Sequence, residues 1–198
     1  MAADQKSVRR RKAELLLIDE SGFLMAPLVR RTWALRGGRP QLLQKGRHRE
    51  KVSVASALWV SRPTGRLRLS YRTLADGYFD SAAMASFVEQ LLGETERPVV
   101  VVWDGGNMHR GDPIRTLLGR FGRRLRLERL PPYAPMLNPV EGLWSWVKYG
   151  RLCNFAPRNA AHLNDVVRAE LDAILTDQER LGNFCRASEL PDVLTLLL

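Results

Sequence analysis

Three carboxylates in this chain stand at the ends or starts of elements rather than inside polar runs. Residues 15–18 (LLLI) form a short apolar run that stops at Asp19-Glu20, and residues 99–103 (VVVVW) form a second that stops at Asp104. Runs of this length and composition predict strands buried on both faces, with an acid at the end of each. Glu141 lies in a third setting. Residues 131–135 (PPYAP) fix φ repeatedly and exclude helix, and Asn138-Pro139 then reads as a helix cap followed by a first helical residue. Glu141 falls three residues after that cap. It can therefore be the reciprocal residue of a capping box or a carboxylate aimed elsewhere.

If the two apolar strands are parallel neighbours, Asp19 and Asp104 emerge at one edge of a sheet, and the helix carrying Glu141 returns to that edge. Three carboxylates gathered there are costly unless a cation neutralises them. Oxygen-only donors select hard cations, so Mg²⁺ is expected, with Mn²⁺ as a substitute. Two such ions can clamp the attacking and leaving oxygens of a phosphodiester. The partial positive charge of a helix start would keep Glu141 ionised. Asp19 and Glu20 as ordinary strand-end acids, and Asp104 as a turn residue beside Gly105-Gly106, are the alternatives.

The order of elements must deliver this arrangement. After a basic leader at residues 7–12 (SVRRRK) comes the Asp19 strand, with Ser21-Gly22 as a turn and residues 29–36 (VRRTWALR) as a second strand. Residues 51–60 and 67–71 alternate as further strands. Asp80 or Ser81 then caps a helix whose Met84, Phe87, Val88, Leu91 and Leu92 share one face. The Asp104 strand follows, then a helix over 114–121, a strand over 125–130, the Glu141 helix ending near Gly150, and a helix over 162–175. Val140, Leu143, Trp144 and Val147 recur at helical spacing, so Trp144 is assigned to the core. The apolar end at residues 190–198 is expected to pack down. An antiparallel start followed by βαβ alternation predicts an α/β fold with a mixed sheet covered by helices. Right-handed crossover places the Asp104 strand beside the Asp19 strand.

Totals narrow the function class. The 198 residues carry 31 Lys and Arg against 21 Asp and Glu, a net charge of +10 that points to a polyanion such as nucleic acid. Arg30, Arg31, Arg47, His48 and Arg49 could line its path, Arg110 and Lys148 could contact it as well, and His109 could either orient a carboxylate or touch a phosphate. Cys153 and Cys185 are too few and too separated for a disulfide framework or a zinc site. No apolar run is long enough to span a membrane, and the start of the chain lacks a secretion signal, so a cytoplasmic location is expected.

Ile18-Asp19-Glu20-Ser21-Gly22-Phe23, Arg31-Thr32-Trp33, Trp103-Asp104 with His109-Arg110, Leu130-Pro131-Pro132-Tyr133-Ala134-Pro135 and Leu137-Asn138-Pro139-Val140-Glu141 with Leu143-Trp144 and Lys148 together resemble the catalytic domain of DDE transposases. The similarity is to the mariner-like superfamily in its bacterial insertion-sequence branch, over residues 15–173, and residues 131–148 are its most specific part. The resemblance implies a ribonuclease-H-like fold with a five-stranded mixed sheet and a catalytic, metal-binding triad of Asp19, Asp104 and Glu141. It further implies two Mg²⁺ ions that activate water to cut transposon ends. The same ions then activate the freed 3′-hydroxyl to attack target DNA, typically at TA. A homodimer on terminal inverted repeats and a nucleoid-associated bacterial setting also follow from it. Two positions depart from the family: Gly105 stands where asparagine is usual, and Met136 where an acid is usual. The stretch before Glu20 is too short for the helix-turn-helix modules of such enzymes, so the recognition part is expected on a missing or separate segment. The expected organisation is a leader at 1–14, a catalytic domain at 15–176 and a helical extension at 177–198. A partial or decayed transposase that only binds DNA, and a cellular ribonuclease-H-like nuclease, are the rival readings.

Overall fold

The structure is a computed structural model that describes residues 13–43, 50–61, 64–75 and 77–190. Five strands form one sheet in the order β3-β2-β1-β4-β5: β1 Glu14–Leu24, β2 Lys51–Val60, β3 Leu67–Ala75, β4 Val99–Trp103 and β5 Leu125–Arg129. β1, β2 and β3 pair antiparallel, whereas β4 runs parallel to both β1 and β5. The expected crossover is therefore present, and β4 sits beside β1.

Helices cover both faces. α1 (Ser81–Gly93) and α2 (Asp112–Phe121) lie on one side; α3 (Val140–Ser145), α4 (Ala160–Asp172) and α5 (Gln178–Ala187) lie on the other. The alternation of side chains across a strand explains the division. On β1, Leu15 and Leu17 pack with Leu143, Val147, Val167, Leu171 and Leu181, while Leu16 and Ile18 pack with Phe87, Leu91 and Leu117. α1 buries Met84, Phe87, Val88, Leu91 and Leu92, the face read from the sequence, and Asp80 caps it by accepting from the Ala83 N–H at 2.8 Å. α5 is tied into the same core as α3 and α4 through Leu181 and Cys185.

Two expectations about this part of the chain fail. β1 does not stop at Asp19; it continues through Ser21-Gly22 to Leu24, because its pairing with β2 runs unbroken from Leu15↔Val60 to Leu24↔Lys51. Hydrogen bonding along one edge holds the strand after its apolar run has ended. The second strand expected over residues 29–36 does not form. β2 pairs with β1 from Leu15 to Leu24, and the segment that follows β1 adds to no strand of the sheet. It leaves the sheet as an exposed arm, with Trp33 99% exposed and Val29 and Leu35 also open to solvent. The arm is fastened near its base, where Leu28 bridges to Cys153 and the Arg30 N–H donates to Asn154 Oδ1 at 2.8 Å. Residues 191–198 lie outside the described residues.

Candidate active site

The parallel ladder between β1 and β4 ends at Leu17↔Val102. Beyond that point the β4-facing edge of β1 is released, and a cleft of about 520 Å³ opens. Asp19 from β1, Asp104 from the loop after β4 and Glu141 from α3 all line it, so the sheet edge brings the three acids to one space.

Each acid is held differently. Asp19 is the most enclosed. Burial pushes its carboxyl up, followed by the negative charges of Glu141 and then Glu20, to about 7, although the Trp144 indole donates to Asp19 Oδ2 at 2.8 Å and works in the other direction. Trp144 is buried core, as expected from its spacing, but its N–H has this second use. A buried indole N–H needs an acceptor, which is the signal that could have paired it with an acid. Phe23 packs edge-on against the same ring at 6.1 Å, and Lys148 lies over Phe23 at 5.4 Å. The Lys148 amine is half-buried. Burial lowers its pKa, while Glu141 and Asp19 pull the other way.

Glu141 is placed by the proline connector. Leu130 N–H donates to the Trp103 carbonyl at 2.8 Å, a three-residue 3₁₀ turn spans Pro135–Leu137, and α3 begins directly afterwards. Asn138 caps the start through its Oδ1, which accepts from the Val140 N–H at 3.2 Å. Its carboxamide also donates to the Ile18 carbonyl at 3.0 Å, the residue immediately before Asp19. One asparagine thus sets the height of the Glu141 helix against the Asp19 strand. The capping box does not form: the Asn138 N–H donates to the Pro135 carbonyl, not to Glu141. No side chain among the described residues hydrogen-bonds the Glu141 carboxylate, which is exposed to the cleft. After α3 the chain widens into a π-helical turn over Trp146–Arg151, closed by Leu152 N–H to the Val147 carbonyl, so the helix passes Gly150 instead of ending there.

Asp104 is fixed by its own loop. Its Oδ1 accepts from the Gly106 N–H at 2.8 Å and lies 2.9 Å from His109 Nδ1. Of the two roles open to His109, its surroundings fit the orienting of a carboxylate and not a contact with phosphate or DNA. The residue is 1% exposed, stacked on Trp103 at 4.3 Å with an interplanar angle of 7°. Its Nε2 lies 3.0 Å from Glu20 Oε1. Burial disfavours the imidazolium, but the hydrogen bond and charge of Glu20, followed by the backbone and carboxylate of Asp104, outweigh it and raise its pKa. In the protonated ring both nitrogens donate. Because neighbouring residues on a strand face opposite ways, Asp19 points to the α3 side and Glu20 to the α1 side. Glu20 and His109 therefore clip β1 to the Asp104 loop beyond the end of the ladder. The sequence offers no periodic signal for that clip.

The remaining basic candidates divide. Arg110 Nη2 donates to the Gly105 carbonyl at 2.9 Å, and Arg30 lies over the Tyr149 ring at 4.8 Å; both are exposed, as is Arg31. Arg47, His48 and Arg49 lie outside the described residues.

The carboxyl of Asp19 makes a pH prediction for metal-free protein. It binds a proton more tightly when folded, at about 7, than near its ordinary 3.8 when unfolded. The folded state therefore holds more protons between those values, and its stability falls as pH climbs through that window. The share due to Asp19 is about 2–4 kcal/mol after allowing for its partial exposure. In chelator, the stability of Asp19→Asn relative to wild type should rise from pH 4 to pH 8, as read by thermal unfolding. Parallel pH profiles would contradict it.

The family model described as DDE superfamily endonuclease matches residues 14–164. The chain belongs to this family. No curated protein matches the sequence. Among solved structures, the DDE endonuclease chain is similar to a Mos1 transposase paired-end complex with left transposon end, at 14% identity and a TM-score of 0.65, covering 99% of this chain and 58% of that one. It is also similar to the catalytic domain of Mos1 mariner transposase, at 13% identity and a TM-score of 0.57, covering 99% and 87%. A third likeness is to the Mos1 transposase catalytic domain with Raltegravir and Mg, at 12% identity and a TM-score of 0.60, covering 98% and 87%. The chain thus spans less than three fifths of the transposase in the paired-end complex. At these identities the likeness establishes the fold, which is ribonuclease-H-like, with a mixed five-stranded sheet and flanking helices. No helix among the described residues is long and apolar enough to cross a membrane.

The donor set of the DDE endonuclease cleft fits a hard divalent cation in its chemistry. It offers carboxylate oxygens, and that of Asp19 is driven toward protonation by burial first and then by the charges of Glu141 and Glu20, which a bound cation would offset. Among the described residues, no three of His, Cys, Asp and Glu stand close enough to enclose an ion. Among neighbouring charges Glu141 acts most strongly on Asp19, and Asp104 does not figure among the charges that shift it.

Proposed function

We propose that this chain is the catalytic domain of a DNA transposase that cuts transposon ends and joins the freed 3′-hydroxyl to target DNA. The observation that carries the reading is the convergence of Asp19, Asp104 and Glu141 on one cleft in a DDE superfamily endonuclease. In this reading the three carboxylates hold two Mg²⁺ ions, with Mn²⁺ able to replace them. When bound, such ions activate the attacking oxygen and neutralise charge on the phosphodiester. The chain itself does the positioning. Trp144 orients Asp19, Asn138 fixes α3 against β1, and the Glu20–His109 clip orients Asp104. Lys148 balances part of the negative charge around Asp19 and Glu141.

DNA is the partner proposed for the basic excess, with Arg30, Arg31 and Arg110 as exposed contacts and Arg47, His48 and Arg49 as further ones. Terminal inverted repeats, a TA target, a homodimer and a helix-turn-helix recognition segment complete the proposal. The test is incubation with terminal-repeat duplex DNA and Mg²⁺, read as strand nicks at the repeat end. Cleavage of an RNA–DNA hybrid in preference to the duplex would favour a ribonuclease-H-like nuclease instead. Salt-sensitive DNA binding with no Mg²⁺-dependent cleavage would favour a binding module.

A further inference from the structure

Tyr133 occupies an unusual place in the proline connector. It has a φ of +58°, in the left-handed region that turns normally give to glycine or asparagine, and its side chain is 99% exposed. Neither property helps the fold. The conformation disfavours a bulky residue, and the ring buries nothing. Its hydroxyl has no hydrogen-bond partner among the described residues. Tyr133 nevertheless lines the same cleft as Asp19, Asp104 and Glu141.

The backbone beneath it is rigid. Pro131, Pro132 and Pro135 restrict the connector, Leu130 pins one end to Trp103, and Asn138 pins the other to Ile18. A flat ring held on such a strap loses little freedom when something stacks on it.

We propose that Tyr133 is a stacking platform for an unpaired DNA base next to the phosphate that enters the acidic cleft. This rests on the reading of the cleft as a DNA-processing site. Stacking accepts any base face, so the platform would hold a frayed or displaced nucleotide without reading its identity.

The experiment uses a short duplex with a single-stranded 3′ overhang carrying 2-aminopurine, in chelator and low salt so that no cleavage occurs. Wild type should quench the 2-aminopurine fluorescence on binding. Tyr133→Phe should quench equally, and Tyr133→Ala and Tyr133→Gly should abolish the quenching and weaken overhang binding about 5- to 150-fold. Tyr133→Gly also relieves the backbone, so its Tm should equal or exceed that of wild type, which separates lost stacking from lost folding. Equal quenching and affinity in Tyr133→Gly would overturn the platform. A wild-type protein that cleaves duplex DNA in Mg²⁺ but shows no Tyr133-dependent quenching refutes the platform alone. A protein that neither binds nor cleaves DNA refutes both this inference and the transposase reading.

Discussion

Asp104→Asn and Glu141→Gln should each lower Mg²⁺-dependent DNA cleavage by at least about 10³-fold, and Asp19→Asn should do the same. An amide keeps the size of the side chain but removes the charge that holds a cation. Losing several kcal/mol of charge stabilisation at about 1.4 kcal/mol per tenfold gives a factor of that order. The three variants should differ in stability, and that difference makes the prediction specific. Asp104→Asn keeps a side-chain oxygen that can accept from the Gly106 N–H, so its Tm should stay near wild type. Glu141→Gln removes a charge that presses on Asp19 and loses no side-chain hydrogen bond among the described residues, so the Tm of metal-free protein should equal or exceed that of wild type. Asp19→Asn keeps an oxygen for the Trp144 indole and removes a disfavoured buried charge. Metal-free protein carrying it should therefore become more stable at pH 8 while losing activity. Cleavage retained in any one variant would remove that residue from the proposed triad.

The second large effect is expected at His109. His109→Ala leaves Glu20 facing an emptied, buried space and frees the Asp104 loop from β1. The unpaired carboxylate and the small cavity should cost about 2–3 kcal/mol of stability. Affinity for Mn²⁺, read by electron paramagnetic resonance, should fall roughly 10- to 100-fold, the usual effect of removing a partner that orients a metal ligand. Destabilisation alone does not predict this. Leu117→Ala, in the buried face of α2, should lower the Tm comparably and leave Mn²⁺ affinity unchanged. Equal affinity losses in the two variants would show that His109 only supports folding.

These side chains mark where sequence is informative and where it is not. The face of α1 and the continuous apolar run of β4 are readable because burial imposes a pattern on one segment. The three acids are readable because they sit at boundaries of such segments. The course of β1 beyond Asp19 is not, since a neighbouring strand sustains it rather than its own composition. The exposed arm at 29–36 escapes for a related reason: β propensity alone forms no strand without a neighbouring strand to pair with. The clip between Glu20 and His109 joins residues 89 apart, and the Trp144–Asp19 bond joins residues 125 apart. Local pattern carries no trace of either. Asn138 is recognisable as a cap, but its second bond to Ile18 depends on where β1 runs.

The decisive property of the cleft is whether its three acids share a cation. Crystals of the protein soaked in Mn²⁺, measured at the manganese absorption edge, test this directly. Anomalous peaks bounded by the carboxylates of Asp19, Asp104 and Glu141 are the predicted result. Manganese bound elsewhere, with the cleft empty and Asp104 still turned to Gly106 and His109, would contradict it.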